Sequence, residues 1–166
     1  MSPEDGTDFS WLARGMENDM PFPSLIGVRV KELTRGHALL ELPDDPKVHN
    51  HVGGAHAGAL FGLGESAAAL AVITTFADLL GDHVPLVKGA EISYASLLTG
   101  PAYAEANFTA NEQGARESIS ARGRATFPVE IVFRDGAGIE TARMTAQMAM
   151  KKVDENVRST GVFRGA

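Results

Sequence analysis

Glu65 is the only acidic side chain and His56 the only histidine between Ala55 and Ala77, a run otherwise made of apolar and small residues with no proline. A carboxylate carried into apolar surroundings without a partner is strongly disfavoured as the ion, and its pKa rises. Glu65 is therefore paired, hydrated or chemically employed, and an acid with a raised pKa suits proton transfer near neutrality. Gly58, Gly62 and Gly64 precede it, and each costs about 1 kcal/mol relative to Ala inside a helix. Three in so short a stretch imply close approach by a sheet, a twin helix or a ligand.

The elements around this run must position it. Leu60, Phe61, Leu63, Leu70, Val72, Ile73 and Phe76 fall on more than one side of a helical wheel, so Ala55 to Ala77 reads as one long buried helix. Ahead of it, Asp8 to Asn18 has helical spacing at Trp11, Leu12 and Met16, and Pro21 and Pro23 are expected to end that segment. Ile26, Val28 and Val30 alternate with polar residues or glycine, then Ala38, Leu40 and Leu42 follow the turn at Thr34-Arg35-Gly36. Those segments predict a hairpin. Pro43-Asp44-Asp45-Pro46 closes it, and the loop Lys47 to Gly54 leads into the helix.

Beyond the helix, strands are expected over Val87 to Tyr94 and Ala102 to Thr109, with Asn111 to Arg122 a short helix or irregular connector. Phe127, Val129, Ile131 and Phe133 alternate, as do Ala142, Met144, Ala146, Met148 and Met150, with a turn at Asp135 to Gly138 between the two runs. Pro128 implies an edge or bulge in its strand. The fold class is α+β: hairpin connections require an antiparallel sheet, and a helix apolar nearly all round requires that sheet curled about it. A single sheet leaves one side of the helix over, so a twofold dimer is expected there. The organisation expected is an N-terminal helical segment at 1–21, a main domain at 22–152 and a mobile tail at 153–166.

A net charge of −6 argues against a nucleic-acid partner. The chain has no cysteine, which excludes disulfides, thiolate catalysis and Cys-ligated zinc. The central run is long enough to span a bilayer, but Glu65 at its middle opposes insertion. With an acidic, polar opening, the chain is expected in the cytoplasm and not in a membrane.

The order of elements, with Asn50-x2-Gly53-x2-His56-Ala57-Gly58-x4-Leu63-x-Glu65, resembles the hot-dog-fold acyl-CoA thioesterases, in particular the 4-hydroxybenzoyl-CoA and phenylacetic-acid-pathway branch and its poorly characterised relatives. Their pattern is N-x-x-G-x-x-H-G-G-x-x-x-x-L-x-D/E, and the likeness extends through Ile92-Ser93-Tyr94 and loosely over residues 22 to 151. The resemblance implies that Glu65 attacks the thioester carbonyl or activates water, that Asn50 positions water or thioester, and that the Ala57 N–H at the helix start forms the oxyanion hole. It implies that His56 orients that turn or polarises the carbonyl.

Gly58, Leu60, Phe61, Val87, Lys88 and Tyr94 are the expected substrate-binding residues, and the only cofactor-like group expected is the CoA moiety of the substrate. CoA phosphates would find cations among Lys88, Arg116, Arg122, Arg124, Arg143 and Lys151. His56 and Glu65 stand roughly 13 Å apart along a helix, too far to flank one carbonyl within a subunit. Antiparallel helices of a homodimer, or of a dimer of dimers, would bring them together.

The sequence departs from the pattern at Ala57, where a glycine is usual, at Ala69, one turn after Glu65, and at Val87, where a serine often stands. Three other readings stay open. Glu65 could be a structural acid paired across the dimer. A non-catalytic acyl-CoA binder would tolerate Ala69 and Val87. A 3-hydroxyacyl thioester dehydratase would use His51 and Glu65, fourteen positions apart, but its proline-rich loop between them is missing. His49, His51 and His56 lack a carboxylate at matched spacing, so no metal is expected.

Overall fold

The computed structural model describes residues 7–153. Its helices are α1 (Ser10–Asn18), α2 (Pro21–Ile26), α3 (Ala57–Thr75) and α4 (Glu112–Arg122). Its strands are β1 (Arg29–Thr34), β2 (His37–Leu42), β3 (His83–Tyr94), β4 (Ala102–Asn107), β5 (Arg124–Arg134) and β6 (Glu140–Lys152). All neighbouring strands run antiparallel in one sheet of order β1-β2-β4-β5-β6-β3. The sheet curls around α3, the arrangement of a hot-dog fold.

Alternation sets which face each strand buries. On β5, Phe127, Val129, Ile131 and Phe133 point to α3, and Ala142, Met144, Ala146, Met148 and Met150 do so from β6. The whole C-terminal half of α3 is enclosed: Leu70, Ala71, Val72 and Ile73 have no accessible surface. Each fully buried Leu, Ile or Phe contributes about 1.5–3 kcal/mol, and Phe76 closes this end by stacking on Phe127 and meeting Phe108 edge-on. Although α3 is long and apolar enough to cross a bilayer, 78% of that apolar stretch is buried inside the protein.

Several expected boundaries move for identifiable reasons. Pro21 and Pro23 do not end the first helical region; Pro21 opens α2, where its fixed φ suits the first helical position and its missing N–H is not needed. Ile26 consequently lies in a helix, and the strand begins at Arg29, after Gly27 ends α2 at a φ of 81°. β3 starts at His83 and contains Pro85, which is tolerated because β3 pairs only with β6 and its other edge is open. Pro128 has the same licence: β4 pairs with β5 only from Glu130 onward, so the Pro128 side of β5 is an edge.

Asn111 to Arg122 resolves as a true helix, capped by Asn111 at its start and by Gly123 at its end. The expected division at residue 21 coincides with the start of α2, while Leu12 and Met16 of α1 join the same core as the sheet. Residues 154–166, nearly all of the expected tail, lie outside the described residues.

Candidate active site

Glu65 occupies the one open side of α3. Two glycines define the walls beside it. A methyl group added at Gly64 would stand 2.5 Å from Phe133 Cζ and 2.8 Å from Met144 Sδ, so this face is pressed against the sheet. One added at Gly62 would stand 2.5 Å from Phe22 Cε1, so α2 lies on that side. At 3.6 residues per turn, Glu65 projects about 100° from Gly64 and about 60° from Gly62, between the two walls. Ala57 and Gly58 are exposed on this sector and Phe61 and Glu65 half-buried, whereas Ala68 and Val72, further along it, are fully covered.

The Glu65 carboxylate has no hydrogen bond or ion pair among the described residues. Burial alone pushes its pKa above the ordinary value of 4.5. This contrasts with Asp78, which a hydrogen bond from Arg116 holds below the usual carboxylate range.

The N-terminus of α3 is built by the preceding loop. His56 caps the helix, its Nδ1 accepting from Gly58 N at 3.0 Å, which leaves the proton of the neutral ring on Nε2. Leu60 N donates to His56 O, while Ala57 N has no partner among the described residues. An orphan N–H in the first turn, at the positive end of the helix dipole, is a ready donor to an anionic oxygen. Tyr94, arriving on β3, donates from its hydroxyl to Ala57 O at 2.9 Å and ties the first turn to the sheet.

Asn50 is engaged in this loop. Its Oδ1 accepts from Val52 N and Gly54 N at 3.0 and 3.1 Å, and its Nδ2 donates to Ala55 O at 3.4 Å. These bonds close the turn that delivers His56. His51 sits exposed within the same turn, and His49 pairs with Asp44 at 2.6 Å. Among the described residues, no three histidine and acidic side chains gather as a metal cage.

The fold brings Ala57, Gly58, Phe61 and Glu65 together on one face, with His56, Asn50 and Tyr94 around the helix start. It does not bring Leu60, Val87 or Lys88 there. Leu60 is buried about 140° around α3 from Glu65, towards the sheet. Val87 lies seven residues before Tyr94, or about 23 Å along the strand, while Glu65 is only about 12 Å along the axis from Ala57. Lys88 sits at a bulge between Val87 and Gly89. With Arg122, Arg124 and Lys151 it lines a groove of about 920 Å³ between β3, α4 and the start of β5, and neither Glu65 nor any other acidic residue lines that groove.

Sequence reasoning missed Phe22, because Pro21 and Pro23 suggested a break where a short helix forms; the signal was Gly62, whose missing side chain makes room for the ring.

A family model described as a domain of unknown function, DUF4442, matches residues 9–150. The chain belongs to the DUF4442 family. No functionally curated protein matches its sequence. Solved structures share the DUF4442 chain's hot-dog fold. A probable thioesterase of unknown function from Pseudomonas aeruginosa superposes with a TM-score of 0.78 at 24% identity, covering 89% of this chain and 97% of that one. A protein of unknown function from Chlorobaculum tepidum gives 0.78 at 16% identity, covering 87% and 94%. A thioesterase family protein from Silicibacter pomeroyi gives 0.70 at 17%, covering 88% and 100%.

Proposed function

We propose that this DUF4442 protein hydrolyses an acyl-CoA thioester at a site completed by a second copy of the chain. The observation that carries the reading is an unpartnered, desolvated carboxylate on the open side of a helix whose first N–H is also unpartnered. The thioesterase names of proteins sharing the fold agree with it.

Within one chain the two groups are about 12 Å apart along α3. Two α3 helices packed antiparallel about a twofold axis would set Glu65 of one copy near the Ala57 N–H of the other and create two equivalent sites. The twelve-residue β3, with one edge unpaired and Leu86, Val87 and Tyr94 exposed, supports this assembly, because a long open edge invites pairing.

In the proposed reaction, Glu65 takes a proton from water as the water oxygen attacks the carbonyl carbon. The Ala57 N–H holds the resulting oxyanion. The C–S bond then breaks, the proton on Glu65 passes to the departing CoA sulfur, and a carboxylic acid and free CoA leave. Direct attack by the carboxylate through a mixed anhydride is the alternative route; 18O found in Glu65 after single-turnover hydrolysis in 18O-water would establish it, since only water attack on the Glu65 carbonyl of the anhydride leaves the label there. His56 and Asn50 serve by fixing the turn that aims the N–H. Tyr94 and Phe61 are the proposed contacts to the acyl-bearing end.

The test is release of free thiol from a panel of acyl-CoAs by wild type and Glu65→Gln; a cysteine-free protein adds no thiol of its own. Turnover by wild type that falls at least about 100-fold in a folded variant is the expected result. Absence of turnover on every ester, with saturable binding, would replace the hydrolase by a non-catalytic acyl-CoA binder. That second reading draws on Asn50, whose oxygen is already occupied by the loop, and on the absence of a hydroxyl at Ala69.

A further inference from the structure

Glu65 lies in a trench with unlike walls. On one side is the sheet, where Phe133 and Met144 press against Gly64. On the other is α2, anchored in the core by Pro23 and Ile26 and presenting Phe22 and Leu25, which are 52% and 70% exposed. Two large apolar side chains one turn apart on so short a helix form a continuous surface facing outward. Phe22 is held against bare α3 backbone, since Gly62 leaves no room for a side chain between them. Gly62 and Glu65 are three residues apart, with side-chain origins about 5–6 Å from each other, so the ring stands beside the carboxylate.

We propose that Phe22 is a specificity-determining residue: its ring walls the space that receives the acyl group, and Gly62 sets how far the ring stands back. This rests on the thioesterase reading above. The occupant follows from the chemistry of the trench. A thioester carbonyl in reach of Glu65 carries its acyl carbons past the apolar side chains beside it, Phe61 on α3 and Phe22 on α2, with Leu25 beyond. Truncating the ring opens the space, and a methyl at Gly62, which would stand 2.5 Å from Phe22 Cε1, displaces the ring from its seat on α3.

The experiment compares kcat/KM across straight-chain acyl-CoAs from acetyl to palmitoyl, and on benzoyl-CoA, for wild type, Phe22→Ala, Phe22→Leu and Gly62→Ala, with the assembly state of each variant measured by light scattering. A single methylene in an apolar pocket changes discrimination by about 10-fold or more. Phe22→Ala should therefore raise the long-to-short ratio at least about 10-fold, with Phe22→Leu intermediate and Gly62→Ala, which displaces the same ring, also changing the ratio. A uniform loss on all esters, with or without dissociation of the assembly, overturns the inference and makes Phe22 a packing or subunit-contact residue. An unchanged ratio in active variants overturns it while leaving the hydrolase intact. A wild type inactive on every ester sinks both.

Discussion

The two ends of α3 are built on opposite principles. At the C-terminus the last carbonyls and hydroxyls are answered: Thr75 O accepts from Arg116 at 3.0 Å and from Arg35 at 3.5 Å, Thr74 and Thr75 hydroxyls donate back to Leu70 and Ala71 carbonyls, and Gly36 N donates to Thr74 Oγ1. Arg116 also pairs with Asp78 and Glu112 and lies 5.1 Å from the Phe76 ring centre. Cations at this end also complement the helix dipole. At the N-terminus a single side chain, His56, answers one N–H, Ala57 N is free among the described residues, and Glu65 is desolvated without a partner. One end fixes the helix in its sheet. The other keeps unsatisfied groups that a substrate or a second copy can meet.

Substitutions can break that contrast. The largest effect is expected at Glu65: Glu65→Gln should lower kcat at least about 100-fold without lowering the thermal midpoint at neutral pH, and a variant that keeps turnover would remove the chemistry from the open end. The wild-type rate should itself fall as pH drops through the raised pKa of Glu65, because the protonated acid cannot accept a proton. Next comes the contrast between Gly64 and Gly58. Gly64→Val drives a side chain into Phe133 and Met144 and should cost about 1–3 kcal/mol by overpacking. Gly58→Ala, on the open face with only the His56 ring within 4 Å, should cost less or gain up to about 1 kcal/mol from helix propensity. Urea midpoints of the two variants order them, and equal losses would mean the open face is as tightly packed as the closed one.

Arg116→Ala should remove the Thr75 contact, the two ion pairs and the ring contact, for about 1–2 kcal/mol. Part of that loss should vanish in high salt, since the pairs are partly exposed. His56→Ala removes a single cap bond and should cost about 1 kcal/mol, with no such salt dependence. If His56→Ala proves the more destabilising, the N-terminal end is the better anchored of the two.

Much of this asymmetry was legible in the sequence. Alternation in Phe127 to Phe133 and Ala142 to Met150 set the core face of the sheet, and an apolar run with one carboxylate marked both α3 and Glu65, because period and burial act locally. Less legible was whatever depends on distant partners. The three glycines predicted close approach but not by what: Gly64 meets the sheet, Gly62 meets Phe22, and Gly58 meets only its own cap, the His56 ring. Val87 and Lys88 stood near Glu65 by analogy of strand position, but β3 begins four residues earlier than expected and carries a bulge at Lys88, which set them further along the strand, in the groove with Arg122, Arg124 and Lys151. Leu60 is one turn or so from Glu65 in sequence yet faces the opposite way. Asn50 could be a turn residue or a ligand to water, and only the loop's hydrogen bonds show its oxygen committed to Val52 and Gly54.

The smallest expected effect tests whether Glu65 is truly without a partner in the assembled protein. Its folded pKa is raised by burial from the ordinary value of 4.5. Well below that value the carboxyl is protonated in both folded and unfolded chains and contributes no pH dependence. As pH rises through it, the unfolded chain releases the proton while the folded chain keeps it, so the folded state binds more protons and stability falls with pH. Above the folded pKa the loss is complete and constant. Glu65→Gln has no such titration, and every other group is shared. The difference in urea unfolding free energy, variant minus wild type, should therefore grow from acid to neutral pH in the variant's favour and then level. A flat difference, or one favouring the wild type as pH rises, would mean that a cation or donor meets Glu65 in solution, and the carboxylate would then be a buried structural pair, not a base awaiting substrate.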